Sequence, residues 1–251
     1  MPNNITNVLE FDCSEERFRE IAEYLRGGST ESLGHVDFNT LIPMPKSLDI
    51  EAGSRGEQGF QAYKKFIAEA SRTKESKIPA LEAKYKAKFE KDPETWELGK
   101  QYFENIRDYG APNWYDWCCN HWNTKWNAYD CVPIDPSDKM LIFETAWDSV
   151  PPIVEALSRK FPDIEISYGW ADEDIGYNVG RLSIKDGKVL STEIYEGGSR
   201  EAYEQAAAIM GDDLSEWGLV LSEDGKTYEY HEDDSFFPAN KEEKSHSGDA
   251  R

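Results

Sequence analysis

Two strand–helix–strand patterns, one at the start of the chain and one beyond its midpoint, restrict the fold more than any other feature of these 251 residues. Asn7–Cys13 (NVLEFDC) alternates, with Leu9, Phe11 and Cys13 on one side and Val8, Glu10 and Asp12 on the other. Ser14 is a helix N-cap residue followed by Glu15 and Glu16. Phe18, Ile21, Ala22 and Leu25 then recur at helical spacing until Gly27 and Gly28 stop the run. His35–Pro43 (HVDFNTLIP) reads as a second strand closed by Pro43 and Pro45. The second pattern begins with Lys139–Trp147 (KMLIFETAW) and continues through a helix opened by Pro151 and Pro152. It ends in Asp163–Asp172 (DIEISYGWAD), where Ile164, Ile166, Tyr168 and Trp170 share a face. Two such units predict an α+β fold, a ferredoxin-like split βαβ antiparallel sheet of four strands with both helices on one face.

The remaining segments attach to that sheet. On this reading residues 1–45 hold the first βαβ unit, 46–122 a helical insertion, 123–172 the remainder of the core, 173–230 a β-hairpin and helix extension, and 231–251 a disordered acidic tail. Within the insertion, Leu48–Gly59 reads as loop, and helices are expected over Gln61–Arg72, Pro79–Lys91 and Pro93–Tyr109. The extension has a strong hairpin signal, Asp186–Gly187 between two β-rich runs. A helix follows over Arg200–Met210, and a small hairpin over Asp224–Gly225.

Charge narrows the function classes. The formal net charge is −21, which opposes the phosphate neutralisation that nucleic-acid binding needs. It is unevenly spread: Phe60–Arg107 has 11 basic and 8 acidic residues, a net of +3, whereas Asp163–Arg251 has 8 basic and 22 acidic, a net of −14. Lys84, Lys86, Lys88 and Lys91 read as a solvated helix face rather than a phosphate strip. No apolar run is long enough to span a bilayer, and the N-terminus has no secretory h-region. The expected partner is a protein with a basic surface, with no direct nucleic-acid or membrane contact.

The motifs of common enzymes are missing: no GxSxG, Walker loop, GxGxxG or HExxH. Neither a cofactor, a metal nor a catalytic residue is expected, and the chain reads as a binding protein rather than an enzyme. Three groupings of side chains bear on chemistry. Cys118 and His121 could form a thiol–imidazole dyad, and with Cys119 and Cys131 a metal site; buried thiols are the better expectation. Asp172, Glu173 and Asp174 form a carboxylate triplet that reads as a turn ahead of Gly176.

The densest aromatic stretch is Asn113–Asp130, NWYDWCCNHWNTKWNAYD, which holds Trp114, Trp117, Trp122 and Trp126. A helix is expected from Trp114 to Trp122 and a strand from Thr124 to Val132, with Trp117 and Trp126 packed in the core. If part of the stretch instead faces a partner, the candidate contact residues are Trp114, Tyr115, Trp122, Lys125 and Tyr129.

This stretch, with Leu41–Pro45 (LIPMP) and Met140–Ser158, resembles the YubB-like family of plasmid and phage proteins, which have a ferredoxin-like domain. The likeness covers most of residues 7–172. Where that family usually reads WGTKWNA, this chain has Asn123, the next best residue after glycine for a left-handed turn. The resemblance implies an accessory protein of a bacterial mobile element, working in the host cytoplasm. Joined to the charge, it suggests engagement of a host protein, such as a defence or nucleic-acid-handling factor. The alternatives are an RNA-binding ferredoxin-like module and a small enzyme of unknown reaction.

Overall fold

In the computed structural model, which describes residues 3–231, strand β1 (Asn4–Asp12) occupies the interior of a five-stranded antiparallel sheet. It pairs with β2 (Met140–Ala146) on one side and β3 (Glu165–Asp172) on the other. The hairpin of β4 (Gly180–Lys185) and β5 (Lys188–Ile194) extends the sheet beyond β3, giving the order β2-β1-β3-β4-β5. The helices are α1 (Glu15–Arg26), α2 (Ser54–Ala70), α3 (Ile78–Lys86), α4 (Glu94–Tyr109), α5 (Trp114–Trp122), α6 (Pro151–Lys160) and α7 (Arg200–Met210). The fold is α+β and carries the ferredoxin-like arrangement, with α1 and α6 covering one sheet face.

The alternation seen in the sequence explains that face. Ile5, Leu9 and Phe11 of β1, with Leu141, Phe143, Ile166 and Tyr168 of its neighbours, pack against Phe18, Ile21 and Leu25 of α1 and Ile153, Val154 and Leu157 of α6. Asn7 sits among them, fully buried, and its polar atoms are satisfied. The Tyr168 hydroxyl donates to Asn7 Oδ1 at 2.6 Å, and Asn7 Nδ2 donates to Thr145 Oγ1 at 2.8 Å. The Val150 N–H donates to the Tyr168 oxygen at 2.8 Å. This network ties β1, β2 and β3 to the turn that starts α6.

Two predicted strands differ from expectation. His35–Pro43 is not a strand. Asp37 Oδ1 accepts the Asn39 N–H and opens a 3₁₀ turn over Phe38–Thr40, which drives Phe38 into the core. Thr124–Val132 is not a strand either. Asn123 and Asp130 take φ of 65° and 45°, and only Tyr129 forms a bridge, to Glu144, at the outer edge of β2. Three of the four expected strands are therefore present as β1, β2 and β3, and the expected hairpin of the extension joins the same sheet as β4 and β5.

The insertion is a helical hairpin. Its first helix, α2, starts at Ser54, so most of the segment read as the end of a loop is helical. Gly56 and Gly59, which resemble loop residues, are helix contacts: a Cβ on Gly99 of α4 would lie 2.0 Å from the Gly59 carbonyl carbon. Tyr63, Phe66, Tyr85 and Trp96 close a second core between α2, α3 and α4. In the extension, α7 lies on the sheet face opposite α1 and α6, with Ala206 against Ala171 and Val179. A short hairpin, β6 (Leu219–Leu221) with β7 (Tyr228–Tyr230), follows. Among the described residues no helix is long and apolar enough to cross a membrane. The expected tail after His231 lies outside the described residues.

Candidate functional site

The aromatic stretch divides into residues that build the local backbone and residues that the backbone displays. Asn113 caps α5, its Oδ1 accepting the Asp116 N–H at 3.1 Å. Trp117, Cys118 and Trp122 then point into the main core. Trp122 is only 3% exposed, and its Nε1 donates to the Ile42 carbonyl at 2.9 Å, so this candidate contact residue is part of the interior. His121 stacks on Trp117 at 4.2 Å, with Nδ1 2.9 Å from the Trp117 carbonyl. A carbonyl only accepts, so Nδ1 carries a proton. The Cys118 thiol, pushed up to about 12 by burial and then by Cys119, lies against Met44 Sδ at 3.9 Å. No thiol–imidazole dyad is assembled. Among the described residues, no three of His, Cys, Asp or Glu are grouped so as to hold a metal ion.

Past α5, three side chains fix two turns side by side. Asn123 Nδ2 donates to the Ser149 carbonyl at 2.9 Å. Thr124, buried, donates through Oγ1 to the Ala146 carbonyl at 2.8 Å and accepts the Ala146 N–H at 3.1 Å. Asn127 Oδ1 accepts the Phe38 N–H, and its Nδ2 donates to Asp37. These bonds carry the residues between them to the surface.

What is displayed is a platform of rings around one lysine. Lys125 Nζ lies 4.3 Å from the Trp126 ring centroid and 5.1 Å from that of Trp147. Tyr115 meets Trp147 edge-on at 5.9 Å and Trp114 at 5.8 Å, and Trp126 meets Tyr129 at 6.4 Å. Trp126 is 37% exposed, against the expectation that it packs in the core. Trp147, 43% exposed, has φ of 76°. A left-handed backbone costs an L-residue roughly 1–2 kcal/mol, so the fold holds a bulky ring at the surface in a conformation that glycine would adopt freely. In the sequence Trp147 looked like the last residue of a strand. Only the turn-forming Asp148–Ser149 after it hinted at a different role.

Tyr129 joins the platform to an acidic cleft. Its backbone exchanges hydrogen bonds with Glu144, and its hydroxyl donates to Asn4 Oδ1 at 2.6 Å. The phenol is pushed up to about 12, first by burial and then by Glu144, Asp130 and Glu173. Asn4, Glu144, Glu173, Asp212 and Glu216 line the cleft with Trp217 and Tyr230, around a volume of about 570 Å³. None of its lining residues is Lys or Arg. The Glu144 carboxyl is held above its ordinary range by burial and then by Asp130 and Glu173. Asp172, beside Glu173 in sequence, is the last residue of β3, and its Oδ1 accepts from Asn3 Nδ2 and from the N–H of Asp174 in the turn that follows.

The lysine-rich helix of the insertion is bound to its own carboxylates. Lys84 lies 3.8 Å from Glu69, and Lys86 lies 3.0 Å from Glu82 and 3.3 Å from Glu97. Lys88 lies 4.5 Å over the Tyr85 ring.

Residues 121–213 match a family model described as the ferredoxin-like domain in Api92-like protein. That model bears the Api92-like name and not the YubB-like one, and it covers β2 through α7, including the turns that carry Lys125, Trp126 and Trp147. A crystal structure of a protein api92 from Yersinia pseudotuberculosis aligns over 79% of this chain and 99% of that chain, at 10% identity and a TM-score of 0.35. No curated protein matches the chain.

Proposed function

We propose that this protein is a non-enzymatic accessory protein of a bacterial phage or plasmid that binds a host protein with a basic surface. The platform of Tyr115, Lys125, Trp126 and Trp147 is the anchor, with Trp114 and Tyr129 at its rim. The carrying observation is Trp147, an exposed tryptophan held at positive φ beside a second exposed tryptophan. Exposed clustered rings of this kind are the side chains that dominate protein interfaces. The acidic cleft that begins at Tyr129 gives the basic side chains of such a partner a place beside the anchor, and the charge of −14 after Asp163 gives the approach its direction.

The RNA-binding alternative draws little support. The sheet face opposite α1 and α6 presents Thr6, Val8, Glu10, Ser167 and Gly169 with α7 lying over part of it, so bases find no aromatic stack there. Lys84 and Lys86 are already engaged by carboxylates.

The test is a pull-down from a bacterial host with the wild-type chain, Trp126→Ala/Trp147→Ala and Glu144→Gln/Glu173→Gln, read by quantitative mass spectrometry at low and physiological salt. The expected result is a partner depleted by the tryptophan pair and weakened by the carboxylate pair, with association slowed by salt. A partner retained by both variants overturns the reading. So does RNA or DNA binding that vanishes with Trp126 and Trp147.

A further inference from the structure

The edge of the sheet opposite the platform is unprotected. β5 is exposed along its whole length, and Val189, Leu190 and Ile194 are 56%, 56% and 68% exposed. It has no proline, and among the described residues no further strand lies beyond it. A seven-residue edge with free backbone groups and exposed aliphatic side chains is a template for pairing.

Its two faces are already sorted. A register shift beside Ser183 and Ile184 places Val189 opposite Ile184 and Ile194 opposite Gly180, on the side of the main core. Lys188, Ser191 and Glu193 oppose Lys185, Ser183 and Arg181 on the other side. Charge is also sorted along the strand. The hairpin tip carries Lys185 and Lys188, with Asp186 3.8 Å from Lys188, and the opposite end carries Glu193 and Glu196.

We propose that β5 pairs antiparallel with β5 of a second copy of this chain, forming a two-fold dimer with a continuous ten-stranded sheet. Antiparallel self-pairing centred near Ser191 sets the lysine end of each copy against the glutamate end of the other, so both ends are matched at once by symmetry. On the core-side face it sets Val189 of each copy beside Thr192 and Ile194 of the other and covers the exposed aliphatic strip. A foreign strand would have to reproduce that charge order, whereas a second copy supplies it necessarily. The platform lies along β2, at the other edge of the sheet, so the dimer carries two platforms at its far ends, both open.

The experiment is sedimentation equilibrium of the full chain over a range of concentrations. The wild type is expected to approach twice the chain mass. Ile194→Lys, an exposed position, is expected to weaken association at least roughly tenfold with an unchanged melting midpoint. Lys188→Glu and Glu193→Lys each juxtapose like charges at both ends and are expected to be monomeric alone. Mixed in equal amounts they restore two opposite-charge contacts and are expected to form the dimer again. A wild type that stays monomeric up to roughly 100 μM overturns the proposal. So does a dimer that Ile194→Lys leaves intact, a mixture of the two charge variants that stays monomeric, or a β5 edge occupied instead by a strand of another protein.

Discussion

The molecule has two aromatic clusters that look alike in composition and do opposite things. In the insertion, Tyr63, Phe66, Tyr85 and Trp96 stand 5.2–6.3 Å apart and are closed between three helices. On the platform, Tyr115, Trp126, Tyr129 and Trp147 meet at similar spacings, 5.9 and 6.4 Å, yet two of the rings are well exposed. Ring density therefore does not separate buried core from exposed surface. The backbone beneath does. The buried rings sit on helices whose spacing directs them to a common axis, whereas the two exposed rings, Trp126 and Trp147, sit on turns fixed by Asn123, Thr124 and the left-handed backbone of Trp147, with Tyr115 meeting Trp147 from α5.

The buried cluster carries the largest expected effect. Trp96→Ala should destabilise the protein by about 3–5 kcal/mol, the usual cost of removing a core aromatic, measured by urea unfolding. A loss below about 1 kcal/mol would place the insertion cluster with the platform. Gly99→Ala is expected to cost about 1–3 kcal/mol, because its new Cβ would stand 2.0 Å from the Gly59 carbonyl carbon and force α2 and α4 apart. Trp147→Gly sharpens the contrast at the displayed end. It removes exposed ring contacts but relieves the left-handed strain, so the unfolding midpoint should move little while partner capture is lost.

The smallest expected effect is a pH dependence in the cleft. Glu144 titrates higher in the folded chain than in the unfolded one, because burial and then Asp130 and Glu173 disfavour its charge. The native state therefore binds the extra proton between the two values, and stability falls as pH rises through that window. Glu144→Gln should raise the thermal midpoint at pH 7, and the gain should disappear below about pH 4, where the unfolded carboxyl is also protonated. A gain that persists in acid would tie the effect to packing instead.

How much of this was legible in the sequence depended on whether the signal was periodic. The strands around Leu9, Phe143 and Tyr168 and the helices around Ile21 and Leu157 announced themselves because their apolar spacing and their burial have one cause. Gly56 and Gly59 misled, because a glycine that permits close helix approach looks the same as one that makes a loop. His35–Pro43 carried a strand-like composition, but the Asp37 side chain satisfied the backbone locally and made a turn. Around the platform, side patterns alone set Tyr115, Lys125 and Tyr129 off the core-facing side of the stretch. They place Trp122 outside and Trp126 inside, the reverse of the structure, since Asn123 resets the chain's direction between them. Trp147 carries no such signal, because positive φ in a tryptophan leaves no periodic trace.

Whether the displayed rings serve contact rather than packing is read from the Trp126→Ala/Trp147→Ala variant, measured by urea unfolding and by capture of the proposed host partner from the same preparation. For contact, the expected result is a loss of stability within about 1 kcal/mol, the scale of surface substitutions, together with loss of the partner. A loss of about 3 kcal/mol or more, the cost of a core aromatic, with the partner still captured by the folded fraction, would contradict it.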